Sequence, residues 1–182
     1  GEDGPTHQPV EHEAQLRLLE HLHNHKGKRA MVVLRPADAE ETIYAWKIAL
    51  EENRPTALIL SRQGIVNLPA ASGDRRKEAR RIVKGGYIVS DCEGQPDVVM
   101  LASGSEVATL VEGAAKLAKA GIKTRVVSVP SEGLFRDQKA DYREHVLPKG
   151  VRRFGLTSGL PVTLQGLVGD NGVVHGLSEF GY

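Results

Sequence analysis

The run VVMLASGSEVATLVEGAAKLAKAGIKTRVVSVP, residues 98–130, decides the fold. Val98 to Ala102 is an unbroken apolar run of strand length, the pattern of a strand covered on both faces of a parallel sheet. From Ser105 to Ala120, Val107, Leu110, Val111, Ala114, Leu117 and Ala118 recur on one side of a helix. Gly121 is placed to cap it in the left-handed conformation. A second apolar run, Val126 to Val129, ends at Pro130. Strand, helix, strand in that order is a crossover unit of an α/β sheet.

The same grammar extends in both directions. Val10 to about His25 reads as a helix with Ala14, Leu18, Leu19 and Leu22 at helical spacing, closed by Lys26-Gly27-Lys28 with Gly27 as cap. Ala30 to Leu34 is a short buried strand stopped by Pro36. Asp38 is set to cap a helix reaching about Glu52, with Ile43, Trp46 and Leu50 near one face, and Thr56 to Leu60 is the next strand. Residues 64–84 change character: Pro69, Ser72, Gly73 and DRRKEARR form a polar connection carrying a short charged helix. Tyr87 to Val89 and Phe154 to Leu156 read as further strands, with two short helices within 131–147. The glycine-rich stretch from 157 has no clear assignment. The expected fold class is α/β: two consecutive three-layer α/β/α units with mainly parallel sheets, the first one incomplete, divided as 1–63, 64–84 and 85–182.

Composition narrows the function classes. A net charge of +1 over 182 residues predicts no nucleic-acid and no membrane-surface partner. No apolar run approaches the ~20 residues that span a bilayer. The lone Cys92 forms no internal disulfide and fits a reducing, cytoplasmic setting. The start at Gly1, without an initiator Met, suggests a piece of a longer product.

Candidate chemistry lies in loops at strand ends, where parallel sheets place ligands. In the opening loop GEDGPTHQP, Asp3 offers a carboxylate to sugar-like hydroxyls and His7 an imidazole that moves protons near neutrality. An ordinary solvated loop accounts for the same residues. Arg62, in Ser61-Arg62-Gln63 after the TALIL strand, is placed to grip a phosphate or carboxylate at two points, or to make a salt bridge at the sheet edge. Ser103-Gly104-Ser105-Glu106 has the look of an anion-binding turn, but Ser103 with Glu106 fits a capping box, which is the preferred reading. His21, His23 and His25 cannot converge on one ion from a helix, so a solvated helix end is expected. The cluster Arg75-Arg76-Lys77 with Arg80-Arg81 is interleaved with acids and reads as a solvated helix.

The wording of the chain adds to this reading. GEDGPTHQPVEH closely resembles the signature loop of transketolases. LRPADAEET with AWKIALE, PTALILSRQ, KGGYIVSDCEGQPDVVMLASGSEV and VVSVPSEGLFRDQKADYREHVLP follow in that family's order. The resemblance implies that 1–63 is the C-terminal half of the thiamine pyrimidine-binding domain, 64–84 a linker and 85–182 a truncated transketolase C-terminal domain. It implies transfer of a two-carbon ketol unit from a ketose phosphate to an aldose phosphate in the pentose phosphate pathway, with thiamine diphosphate and a divalent metal (Mg or Ca), in a homodimer. The cofactor's carbanion attacks the ketose carbonyl and its ring system holds the developing charge. His7 matches the catalytic and substrate-binding histidine near the reacting carbon. Asp3 matches the aspartate on a sugar hydroxyl, and Arg62 the arginine on the sugar's phosphate. No cofactor-binding or metal-binding residue is expected in this stretch, and the isolated chain is expected to be inactive. The segment 13–34 is longer than usual for the family, and the tail 157–182 departs from its best-known members. Other readings are a non-catalytic interaction or dimer-supporting α/β fragment, a related thiamine enzyme such as a deoxyxylulose-phosphate synthase or a dehydrogenase subunit, and a nucleotide- or metal-binding module.

Overall fold

The computed structural model describes residues 10–179. The chain runs α1 (His12–Leu19), β1 (Val32–Leu34), α2 (Ala39–Glu51), β2 (Thr56–Leu58), α3 (Arg75–Ala79) and a 3₁₀ turn (Arg80–Lys84), then β3 (Tyr87–Ser90) and β4 (Val98–Ala102). It continues with α4 (Glu106–Lys119), β5 (Thr124–Ser128), α5 (Glu132–Arg136), α6 (Ala140–Val146), β6 (Arg152–Leu156), α7 (Val162–Val168) and β7 (Val173–His175). Strands β1 and β2 pair in parallel as a two-stranded sheet. The other five form a sheet ordered β3-β5-β4-β6-β7, parallel except for β3, which runs against β5 at one edge.

The central strands explain the layering. Met100 and Ala102 point into one apolar cluster with Val107, Leu110 and Ala114 of α4. Val99 and Leu101 point into another with Phe135, Val146, Leu164 and Leu167 of α5, α6 and α7. A period of two therefore puts apolar side chains on both faces of β4, which is why its sequence is an unbroken apolar run. Helix α4 ends as its sequence predicts: Gly121 adopts φ +79°, its N–H bonds Ala118 O, and Ile122 N–H bonds Leu117 O.

A third cluster serves the small sheet, with Val32, Leu34, Ala45 and Ile48 around Ile82 and, at its margin, Leu134 of α5. Residues on both sides of the 64–84 segment are thus tied together through it, and Leu68, Ala79 and Ile82 are buried. Among the described residues nothing covers the outward face of α2: Ile43, Trp46 and Leu50 are all more than half exposed.

Three expectations need correction. The first helix stops at Leu19 rather than near His25, and His21 to Ala30 form turns with an isolated antiparallel bridge between His23 and Arg29. Gly27 does take φ +71°, but inside that turn and not as a helix cap. The helix is also inverted: Glu13 and Arg17 are buried along with Glu20 just beyond it, whereas Leu18 and Leu19 face out, as does Leu22. The reason is the polar surface it lies on.

Candidate functional site

Asp3 and His7 lie outside the described residues. Arg62 is exposed at a bend beyond the C-terminal end of β2. Because β1 and β2 are parallel, the same sheet edge carries Arg35, the residue directly after β1. This edge faces the C-terminal ends of β4, β5 and β6. Arg35 N–H donates to Pro130 O beyond β5 at 2.9 Å, and its carbonyl accepts from Gly104 N–H beyond β4 at 3.0 Å. Where the described chain begins, Val10 O accepts from Leu160 N–H beyond β6, at 3.0 Å. Loops from both units therefore meet along one seam at their strand ends, the place where α/β sheets present ligand-binding groups.

One buried network holds the seam on the α1 side. Arg17 donates to Glu13 Oε1 from Nη2 at 3.0 Å and to Glu20 Oε2 from Nη1 at 3.4 Å. Glu20 also accepts from Val33 N–H, Ser131 Oγ and Gly133 N–H, so one carboxylate joins α1, β1 and the start of α5. Arg35 reaches the far oxygen of Glu13 at 3.3 Å and Glu106 at 2.8 Å. Burial works against the Arg17 charge, but Glu13, Glu20 and Glu132 outweigh it and raise its pKa above the ordinary value. This is why α1 turns its charged face inward: a buried ion needs partners, and they are on that side.

A second network sits on the α2 side. Asp38 caps α2 by accepting from Glu41 N–H, as its place in the sequence predicts, and its other oxygen accepts from Leu68 N–H and Arg75 Nε. Glu41 is fully buried. Its Oε1 accepts from Tyr87 O–H at 2.6 Å, Ser128 Oγ at 2.9 Å and Arg75 Nη2 at 3.2 Å, while Oε2 accepts from Ala37 N–H. Burial raises the Glu41 pKa, opposed in part by the Tyr87 and Ala37 hydrogen bonds and by Arg75. Burial and the Glu41 charge together raise that of Tyr87.

These networks correct two further expectations. Ser103 does not form a capping box with Glu106. Ser105 is the residue before the first turn of α4 and makes no side-chain cap, Ser103 Oγ bonds Glu13, and Glu106 turns to Arg35. A local motif lost to a stronger, long-range charge partner. Arg75 is not a solvated cation of the linker helix but is partly buried and paired with Asp38 and Glu41. The histidines His21, His23 and His25 are exposed, and no group of three metal-ligating side chains occurs among the described residues. Arg35 was missed by the sequence reading. The signal was available: it follows a strand directly, like Arg62 beyond β2, in the wording LRPAD.

Sequence profiles for known families match on both sides of the connecting segment. The profile "Transketolase, pyrimidine binding domain" covers residues 1–66, and "Transketolase-like TK C-terminal domain" covers 85–182. The chain belongs to the transketolase family. It is 44% identical over its whole length to the plasmid transketolase of Cupriavidus necator and to transketolase 1 of Escherichia coli K12, matching 25% and 26% of those proteins. Among solved structures, the transketolase of Leishmania mexicana superposes with a TM-score of 0.79 at 36% identity, covering 99% of this chain and 24% of that one. A Pichia stipitis transketolase mutant in complex with xylulose 5-phosphate gives 0.80 at 34% identity, covering 99% and 24%. This transketolase chain thus spans about a quarter of the length of its relatives, and they belong to a class of transferases.

Proposed function

We propose that the chain is the substrate-gripping part of a transketolase: the closing half of the pyrimidine-binding domain at 1–63, a linker at 64–84 and the C-terminal domain at 85–182. The complete enzyme transfers a two-carbon ketol unit from a ketose phosphate to an aldose phosphate in the pentose phosphate pathway, as a cytoplasmic homodimer. The observation that carries the reading is Arg62, in the wording LSRQ, exposed at the ligand-presenting edge of a parallel sheet in a chain of this family. Relatives from Pichia stipitis bound to xylulose 5-phosphate, fructose 6-phosphate and sedoheptulose 7-phosphate support sugar phosphates as substrates.

In this reading Arg62 binds the sugar's phosphate through two parallel N–H bonds. His7 bonds the sugar oxygens beside the reacting carbon and moves a proton there, and Asp3 accepts from a hydroxyl and selects its stereochemistry. The family uses thiamine diphosphate and a divalent metal (magnesium or calcium). The described residues do not fit the metal, since none of their His, Cys, Asp and Glu side chains form a group of three able to hold it.

The test is turnover of the purified 182-residue chain with thiamine diphosphate, magnesium and a ketose–aldose phosphate pair, beside the complete enzyme. The chain alone is expected to be inactive, and ordinary turnover by it would overturn the fragment reading. In the complete enzyme, Arg62→Ala is expected to raise KM for phosphorylated sugars about tenfold or more, with a smaller change in kcat. An unchanged KM would remove Arg62 from the phosphate site.

A further inference from the structure

The strand order β3-β5-β4-β6-β7 contains a switch point. The chain leaves β4 for β5 on one side, then crosses to β6 on the other. In open α/β sheets, the crevice beyond the C-terminal ends of two such strands is the usual ligand site. Here the crevice between β4 and β6 is filled by Arg35 from the first unit. Its Nη1 donates to Ser103 O beyond β4 at 3.1 Å, and its Nη2 to Ser158 Oγ beyond β6 at 2.9 Å. Glu106, the first residue of α4, lies 2.8 Å from Nη2. That approach is close but not aligned as a hydrogen bond, so Glu106 acts chiefly as a charge. Glu13 stands 3.3 Å from Nη1 and closes the ring of acceptors.

The crevice is shaped for this side chain as well as charged for it. Gly104 adopts φ +66°, and a Cβ there would lie 2.7 Å from Arg35 Nε and 2.9 Å from Cζ. The guanidinium lies directly against the glycine backbone, as ligands do in glycine-bearing turns. Only 8% of Arg35 remains exposed. Two carboxylates, the Ser103 carbonyl and the hydroxyls of Ser158 and, at 3.5 Å, Ser103 converge on a planar cation, a donor and acceptor match that an ammonium group does not reproduce.

We infer that the switch-point crevice of the C-terminal unit is a guanidinium receptor, and that Arg35 is its tethered ligand, closing the seam between the two units. The crevice serves as an internal socket and does not take a free anionic ligand. Emptying it leaves Glu13 and Glu106 facing a cavity whose chemistry selects small guanidinium cations.

The experiment uses the 182-residue chain, thermal unfolding followed by circular dichroism, and methylguanidinium as the probe. Arg35→Ala is expected to lower the midpoint by about 6–20 °C, from the loss of one partner of a buried pair in a domain of this size. Millimolar methylguanidinium is expected to restore about 3 °C or more in a saturable way. Tetramethylammonium at equal concentration is expected to do nothing, and wild type to respond to neither. A folded Arg35→Ala that shows no saturable, guanidinium-specific shift overturns the proposal. If Arg35→Ala folds only with help, the readout becomes refolding yield with and without methylguanidinium, and an unchanged yield counts against it. Arg35→Lys keeps the charge but not the planar fork and is expected to remain well below wild type; equal stability would show a generic cation seat and also overturn the proposal.

Discussion

Removal of the Tyr87 hydroxyl tests how the second buried network holds the seam. Tyr87→Phe keeps the ring, which is 1% exposed, and keeps Arg75 over its face at 5.8 Å. What it deletes is one hydrogen bond of 2.6 Å to Glu41 Oε1. A buried hydrogen bond to a charged acceptor is worth about 1.5–3 kcal/mol. For a chain of this length that is a fall in Tm of roughly 3–12 °C. The effect also carries a pH signature. Burial raises the folded-state pKa of Glu41 above its ordinary value of 4.5, and the Tyr87 bond partly opposes that rise. A carboxyl whose folded pKa is raised holds its proton longer when folded than when unfolded. Its contribution to stability therefore falls as pH rises from about 4.5 and levels off once the folded pKa is passed. Without the hydroxyl the folded pKa moves higher still, so the window extends upward in pH. The difference between wild type and Tyr87→Phe should accordingly be smallest near pH 4.5 and larger at neutral pH. The assay is urea unfolding across that range, read as midpoint with the slope checked for constancy. A cost below about 0.5 kcal/mol, or one independent of pH, would refute the reasoning that Glu41 depends on this bond.

Other perturbations separate local from long-range causes. Asp38→Ala leaves Glu41 N–H, Leu68 N–H and Arg75 Nε without their acceptor, and should cost about 3–5 kcal/mol by urea unfolding, well above the ~1 kcal/mol of a simple helix cap. Gly85→Ala, at φ +77°, would put a Cβ 2.2 Å from Phe135 N and 2.4 Å from Ser131 O, so it should disrupt the join between β3 and α5 and cost more than about 3 kcal/mol. Gly27→Ala has a similar φ of +71° but open space around it, and should cost only about 1–2 kcal/mol. Equal losses at the two glycines would show that backbone strain, not the close approach, sets the cost at Gly85.

The two networks give the seam a definite chemical character. It is built largely from charges paired across segments distant in sequence, such as Arg35 with Glu106 and Arg75 with Asp38. Buried ion pairs add little stability relative to well-packed apolar residues, but losing one partner is costly. The seam therefore tolerates little rearrangement, and the strand-end loops of both units, with Arg62 on the same sheet edge as Arg35, are held in one relative position.

Periodicity alone determined the parts whose burial follows a simple rule. The apolar face of α4, the two-faced run of β4 and the left-handed Gly121 were legible because each depends on residues within one turn or one pleat of its neighbours. The Asp38 cap was legible for the same reason. Recognition of GEDGPTHQP and LSRQ supplied the family and the expected roles of Asp3, His7 and Arg62, which no spacing rule provides. Tertiary structure decided the rest. The α1 leucines have a good helical period, yet Leu18 is 67% exposed and Arg17 5%, because Glu13, Pro130 and Ser131 surround the charged side. Ser103 and Glu106 have the spacing of a cap, but the Ser103 hydroxyl bonds Glu13, 90 residues away in sequence, and Glu106 turns to the Arg35 guanidinium. Strand β7 is only three residues long and finds its place through register with β6, not through its own pattern. A sequence lists the charges of a chain in order, but which of them are buried together depends on which loops the folded sheets bring to one edge.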